Sequence, residues 1–208
     1  MEGLKITRRR MLKAGAGVLA GLTLTASCKS PQRRAGSRKG FKLAVCDWTI
    51  GKATNPESFE LAKKIGLDGV QVDFGSGEND LPLFNKDLQQ KILAEAKRNQ
   101  MEIASLAMGT LNGVPYKSDP RTERWVSQAI DVSKAMGANV ILLAFFGDGD
   151  LLKDPKGTDV VVERLKRVAP KAEDAGVALG SESWLSAEEH LAIIERIGSP
   201  AVKVYYDV

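Results

Sequence analysis

The sequence predicts an α/β fold of the (β/α)8 barrel type, a parallel sheet covered by helices and incomplete at about six βα units. Three observations lead there. Six short apolar runs recur, with starts 25 to 38 residues apart. Each is rich in Val, Ile, Leu and Ala on both faces, as strands buried on two sides are. Helical patterns separate the runs, and four of them end on a Gly placed to turn the chain into the next run.

The strands are expected at Lys42–Asp47, Gly69–Asp73, Glu102–Ala107, Asn139–Phe145, Val177–Glu182 and Val202–Asp207. Asn55-Pro56 and Asp119-Pro120 each pair a capping residue with Pro at a first helical position. Ser186 and Glu189 have the spacing of a capping box. Helix ends are expected at Gly66, Gly137, Gly176 and Gly198. The expected core-facing stripes are Phe59, Ala62 and Ile65; Trp125, Ala129, Val132 and Met136; Leu165, Val168, Ala169 and Ala172; and Leu191, Ile194 and Ile197.

Repeated βα units with right-handed crossovers leave two architectures, a doubly wound sheet or a barrel. The first run is followed by Cys46-Asp47-Trp48-Thr49-Ile50-Gly51, without the Gly-x-Gly-x-x-Gly of dinucleotide folds. Polar residues fall at the strand C-termini: Asp47, Gln71, Asp73, Ser105, Glu182 and Asp207. That is where a barrel builds its sites. A barrel needs eight units in ~250 residues, and this chain ends on its sixth strand. The expectation is an N-terminal portion, or a barrel completed by another part.

Charge divides the chain. Residues 1–39 hold ten Lys/Arg against Glu2 alone, whereas 40–208 hold 20 basic and 25 acidic residues. The folded part is mildly acidic, which excludes a nucleic-acid footprint. Thr7-Arg8-Arg9-Arg10-Met11-Leu12-Lys13 precedes thirteen uncharged residues, Ala14 to Ala26. This is a signal-peptide pattern, too short to span a bilayer comfortably, and it resembles the twin-arginine (Tat) export signal. Leu24-Thr25-Ala26-Ser27-Cys28 resembles a lipobox, with Thr25 where an aliphatic residue is preferred. The expected organisation is a signal peptide over 1–28, ending in lipidation at Cys28 or in a plain cleavage near Ala26, a basic linker over 29–39, and a partial barrel over 40–208. The protein is then exported, periplasmic or a membrane-anchored lipoprotein, and it meets the membrane only through its leader or lipid. Two cysteines exclude a Cys-built metal centre; Cys46, in an apolar run, is expected to be a buried thiol.

The strongest chemical signal lies on the last two strands. Ala178, Gly180 and Glu182 point one way on strand five, and Lys203, Tyr205 and Asp207 one way on strand six. If these sets face inward, Glu182 and Asp207 are neighbouring carboxylates at one rim. They repel unless they share a proton or a cation, and hard oxygens suit Mg²⁺ or Mn²⁺. Trp48, Phe145, Phe146 and Trp184 stand at strand ends and could wall a sugar pocket. His190, the single His, is expected to be a solvated helix residue beside acids.

From Phe41 onward the chain resembles the xylose-isomerase-like TIM-barrel superfamily of sugar phosphate isomerases and epimerases. The resemblance rests on Glu182 followed by Leu185-Ser186-Ala187-Glu188-Glu189, on Gly198-Ser199-Pro200-Ala201-Val202-Lys203-Val204-Tyr205-Tyr206-Asp207-Val208, on Asp47-Trp48-Thr49-Ile50-Gly51 and on Gly66-Leu67-Asp68-Gly69-Val70. It implies one divalent ion, Mn²⁺ or Mg²⁺ with Co²⁺ or Zn²⁺ as alternatives, held by a strand-five Glu, a strand-six Asp, a strand-seven His and a strand-eight Glu. Glu182 is then a metal ligand and acid/base, and Asp207 a second ligand. Ser183 stands where an Asn often follows the Glu. The implied reaction removes the proton α to a carbonyl of a ketose or hydroxy-ketone and passes through an enediolate. With the strand-seven His and strand-eight Glu beyond Val208, the 208-residue chain alone is expected to be inactive; the alternative is an inactive fragment or a sugar-binding exported lipoprotein of the same fold. The superfamily's apurinic-site endonuclease branch needs several His and a basic groove, which an acidic body with one His does not supply.

Overall fold

The computed structural model describes residues 40–206. The leader, the linker, Cys28 and Asp207 lie outside the described residues. Six parallel strands run in sequence order as one sheet: β1 (Ala44–Cys46), β2 (Gly69–Asp73), β3 (Glu102–Met108), β4 (Val140–Phe145), β5 (Ala178–Ser183) and β6 (Val202–Val204). The helices between them are α1 (Ser58–Lys64), α2 (Lys86–Asn99), α3 (Arg121–Met136), α4 (Pro155–Ala175) and α5 (Ala187–Ile197). An unreversed strand order is the barrel's and not the doubly wound sheet's. Among the described residues no helix is long and apolar enough to cross a membrane.

Local chemistry accounts for most boundaries. Asn85 caps α2 by accepting the N–H groups of Asp87 and Leu88. Gln100 ends that helix in the left-handed region, at φ 55°, where Gly137 and Gly176 end α3 and α4 at less steric cost. The α5 capping box is complete in both directions, Ser186 Oγ accepting from Glu189 N and Glu189 Oε2 from Ser186 N. Pro170 sits within α4 on its exposed side, where the carbonyl it leaves unbonded can turn to water. The helix after Asn55-Pro56 begins later than expected, at Ser58, because Asn55 Oδ1 first closes a turn by accepting Glu57 N.

One face of the sheet packs on the helices. Val70, Val72, Leu106, Ile141, Leu143 and Leu179 join Phe59, Ile92, Trp125, Ile130 and Leu165 in the main core. The other face forms the barrel interior, where Ala107, Leu142 and Ala144 cluster with Phe146 and Tyr205. A register shift between β2 and β3 pairs Val70 with Ile103 but Gln71 with Ser105, so Ala104 is the extra residue of a bulge. The bulge sets Ser105 beside Gln71 on the interior face, and Gln71 Nε2 donates to Ser105 Oγ at 2.8 Å.

Two expected stripes are corrected. Ile65 is exposed at the end of α1. On α5 the buried set is His190, Ile193 and Ile197, while Leu191 is exposed. The buried face is turned toward His190 and Ile193 and keeps Ile197, with Ile194 half-buried.

Candidate functional site

Two groups of polar residues stand at the carboxyl ends of the strands. The first is at β1–β3. Asp47, fully buried, accepts the N–H of Thr54 at 2.8 Å and of Asp73 at 3.0 Å through Oδ2. The first contact holds Thr54 at φ 53°, a left-handed conformation that a β-branched residue rarely takes. Asp73 ends β2 and is 9% exposed, and its Oδ1 has no hydrogen-bond partner of normal geometry. That oxygen lies 3.6 Å from the point a β-carbon would occupy at Gly109, and the Trp48 ring lies 3.3 Å from the same point. Burial, then the charge of Asp47, pushes the Asp73 carboxyl up to about 6, with the amides of Gly75 and Gly109 offsetting part of the rise. Burial raises Asp47 as well. Cys46 is a free thiol pushed up to about 12 by burial, an inert state.

The second group is at β5–β6. Glu182 is half-buried two residues above Gly180 on β5. It lines a cavity of about 550 Å³ with Phe146, Ser183, His190, Tyr205 and Tyr206. His190, expected in solvent, is only 6% exposed, because the turned face of α5 carries it under β5. Its Nε2 is 3.0 Å from Ser183 Oγ, which also accepts Leu185 N at 3.2 Å. Burial lowers the His190 pKa. Chain position alone misses this contact; only the helix face carries the signal.

The expected pocket aromatics separate. Phe145 is 1% exposed, on the helix-facing parity of Ile141 and Leu143, and stacks on Tyr116 at 6.2 Å. It is core and does not wall the cavity. Phe146, one residue on, faces the interior and meets Trp184 edge-on at 5.3 Å. Trp184 is 60% exposed at that rim, and Trp48 is 41% exposed at the other. For a divalent ion, Glu182 offers a half-buried hard oxygen at a cavity wall, the donor type that Mg²⁺ and Mn²⁺ take. Among the described residues no three His, Cys, Asp or Glu groups converge. Asp207, the expected second ligand, lies outside them.

Parallel strands in sequence order, helices outside and a carboxylate at the strand C-termini define a barrel-type α/β protein with its site at the usual face. A sequence profile of the xylose isomerase-like TIM barrel family matches residues 59–208, and the chain belongs to that family. It is 22% identical over 167 residues to 2-epi-5-epi-valiolone 7-phosphate 2-epimerase of an Actinoplanes species, covering 80% of this chain and 61% of that protein. Its fold is shared with a xylose isomerase-like TIM barrel protein of Mycobacterium smegmatis solved with magnesium, at TM-score 0.65 and 14% identity over 80% of this chain and 64% of that one. The D-psicose 3-epimerase of Clostridium cellulolyticum H10, solved with D-tagatose, matches at TM-score 0.63 and 18% identity over 79% and 62%. The chain thus spans less than two thirds of the length of these relatives.

Proposed function

We propose that this chain is the sugar-handling portion of a divalent-metal-dependent sugar, sugar phosphate or hydroxy-ketone isomerase or epimerase. The observation that carries the reading is Glu182, a half-buried carboxylate in a 550 Å³ cavity walled by aromatic rings. Aromatic faces take the C–H faces of a sugar, and a carboxylate beside them can reach a carbon-bound proton. Two of the relatives named above, the valiolone 7-phosphate epimerase and the D-psicose 3-epimerase solved with D-tagatose, support the same substrate class here.

Glu182 removes the proton α to the carbonyl and holds it while the enediolate forms. Return of that proton from Glu182 to the neighbouring carbon isomerises; epimerisation needs a proton delivered to the opposite face by a second acid across the sugar. Phe146 covers the sugar face, and Ser183, tied to His190, anchors the turn that follows Glu182. A divalent ion, when bound through Glu182 and Asp207, would polarise the carbonyl oxygen.

Ketose epimerisation assayed with Mn²⁺ or Mg²⁺ tests the reading. Turnover that Glu182→Gln abolishes supports it. Ketose binding without turnover would turn the proposal to a sugar-binding protein of the same fold. Export by the twin-arginine route, with lipidation at Cys28, belongs to the same proposal. Replacing Arg8 and Arg9 by Lys should trap the precursor inside the cell, and mass spectrometry of the mature N-terminus reads the lipid.

A further inference from the structure

Beneath the Glu182 cavity lies a second chamber of about 270 Å³ in the barrel interior, with Cys46, Gln71 and Ser105 on its walls. One side chain, Tyr205, lines both. Its backbone N–H donates to Ser181 O at 2.8 Å, which continues the β5–β6 pairing past β6. Its ring lies over Gly180, where a β-carbon would stand 3.0 Å from Tyr205 Cδ2 and 3.1 Å from Tyr205 Cβ. Any larger residue at position 180 would push the ring away. Across the interior, Gln71 Nε2 donates to the phenol oxygen at 3.0 Å and to Ser105 Oγ at 2.8 Å. A residue just past β6 is thereby tied to β2 and β3.

Glu182 stands two residues above Gly180 on the same inward parity, a rise of roughly 6.6 Å along the strand. The tethered ring is therefore the next layer down from the carboxylate. We infer that Tyr205 is the floor of the Glu182 cavity, and that its tie to Gln71 makes it a specificity-determining residue that limits the length of the sugar admitted. The inference rests on the proposed sugar reading. A floor held only by stacking could swing aside; one anchored at the phenol and pressed on a glycine keeps a fixed depth. The upper cavity then accepts a chain that ends at the ring, and the lower chamber stays closed to it.

The test uses the full 208-residue chain and the variants Tyr205→Phe, Tyr205→Ala and Gly180→Ala, each checked for folding by circular dichroism. Binding of erythrulose, ribulose, fructose and sedoheptulose is read by saturation-transfer NMR, and turnover is measured beside it. Opening the floor with Tyr205→Ala should raise the preference for the seven-carbon over the five-carbon ketose about tenfold or more. Tyr205→Phe, which keeps the ring but cuts the tie to Gln71, should move it the same way by a smaller amount, about threefold. Gly180→Ala, which pushes the ring off its seat, should move it the same way by a smaller amount, and reads the floor even if Tyr205→Ala does not fold. An unchanged preference in Tyr205→Ala, or in Gly180→Ala where Tyr205→Ala is unfolded, overturns the inference. Wild-type binding without turnover bears on the activity of this portion alone, and the binding preferences then judge the floor. No binding of any ketose by the wild type overturns both.

Discussion

The two rims of the sheet both carry acids, yet they differ in what surrounds them. At β1–β3, Asp47 and Asp73 are enclosed, Asp47 is held by backbone amides, and neither has an ion-pair partner among the described residues. At β5–β6, Glu182 faces a cavity large enough for a sugar. Two buried acids would score higher than one half-buried acid in a count of perturbed groups. Open space decides otherwise: a carboxylate acts on a substrate only where a substrate fits. At the first rim Asp47 holds a loop; at the second, on the proposed reading, Glu182 is left to chemistry.

The largest effect separates the rims by activity. Glu182→Gln should lower ketose turnover by about 10²–10⁴-fold, the usual loss of an acid/base group, with little change in melting temperature. Asp73→Asn should leave the same assay within a few-fold. Comparable losses in both would erase the distinction.

Next comes stability. Asp47→Ala leaves the amides of Thr54 and Asp73 without their acceptor and should destabilise by about 2–4 kcal/mol in thermal unfolding. Asp47→Asn keeps an acceptor oxygen and should lose clearly less. Equal losses in the two variants would refute the loop-holding role.

The rims should also answer pH in opposite directions. Asp73 rises from 3.8 to about 6 on folding, so between those values the folded state binds more protons and stability falls as pH rises. The full penalty, up to about 3 kcal/mol, is present above pH 6. Asp73→Asn should accordingly raise the melting temperature by several degrees at pH 7.5 and change little at pH 3.5. His190 is lowered from 6.5 by burial, so its share of stability is present above 6.5 and is lost as pH falls through its folded value. The smallest effect is expected from His190→Leu. It should lose about 1 kcal/mol near neutral pH with the Ser183 contact, and should flatten the acid-side loss. Denaturant titrations across pH 4–8 measure both slopes.

Much of the fold was legible because it is local. Gly69–Asp73 was expected and observed over the same residues, and the Ser186–Glu189 box formed as its spacing predicts. Helix α2 carried weaker signals, because an Asn cap and a left-handed Gln replace the Pro start and Gly stop that mark its neighbours. The site was legible in part. Glu182 was named from strand parity and resemblance and stands in the cavity. Phe145 was taken for a wall because strand ends were counted without parity, and parity sends it to the core and Phe146 inward. His190 is buried because the inward face of α5 carries His190 and Ile193, where the Leu191 spacing predicts another face.

By itself the sequence determined the period: six runs that must be strands, the helices between them, and hence a parallel sheet in chain order. Hydrophobic spacing acts over a few residues, and a few residues suffice to decide an element and its partner layer. Only the tertiary structure decided which acids are enclosed and which face space, and that Tyr205 reaches Gln71 across 134 positions. Those outcomes depend on a single bulge residue in β3, the rotation of one helix and the missing side chain at Gly180. A shift of one residue in any of them exchanges inside for outside.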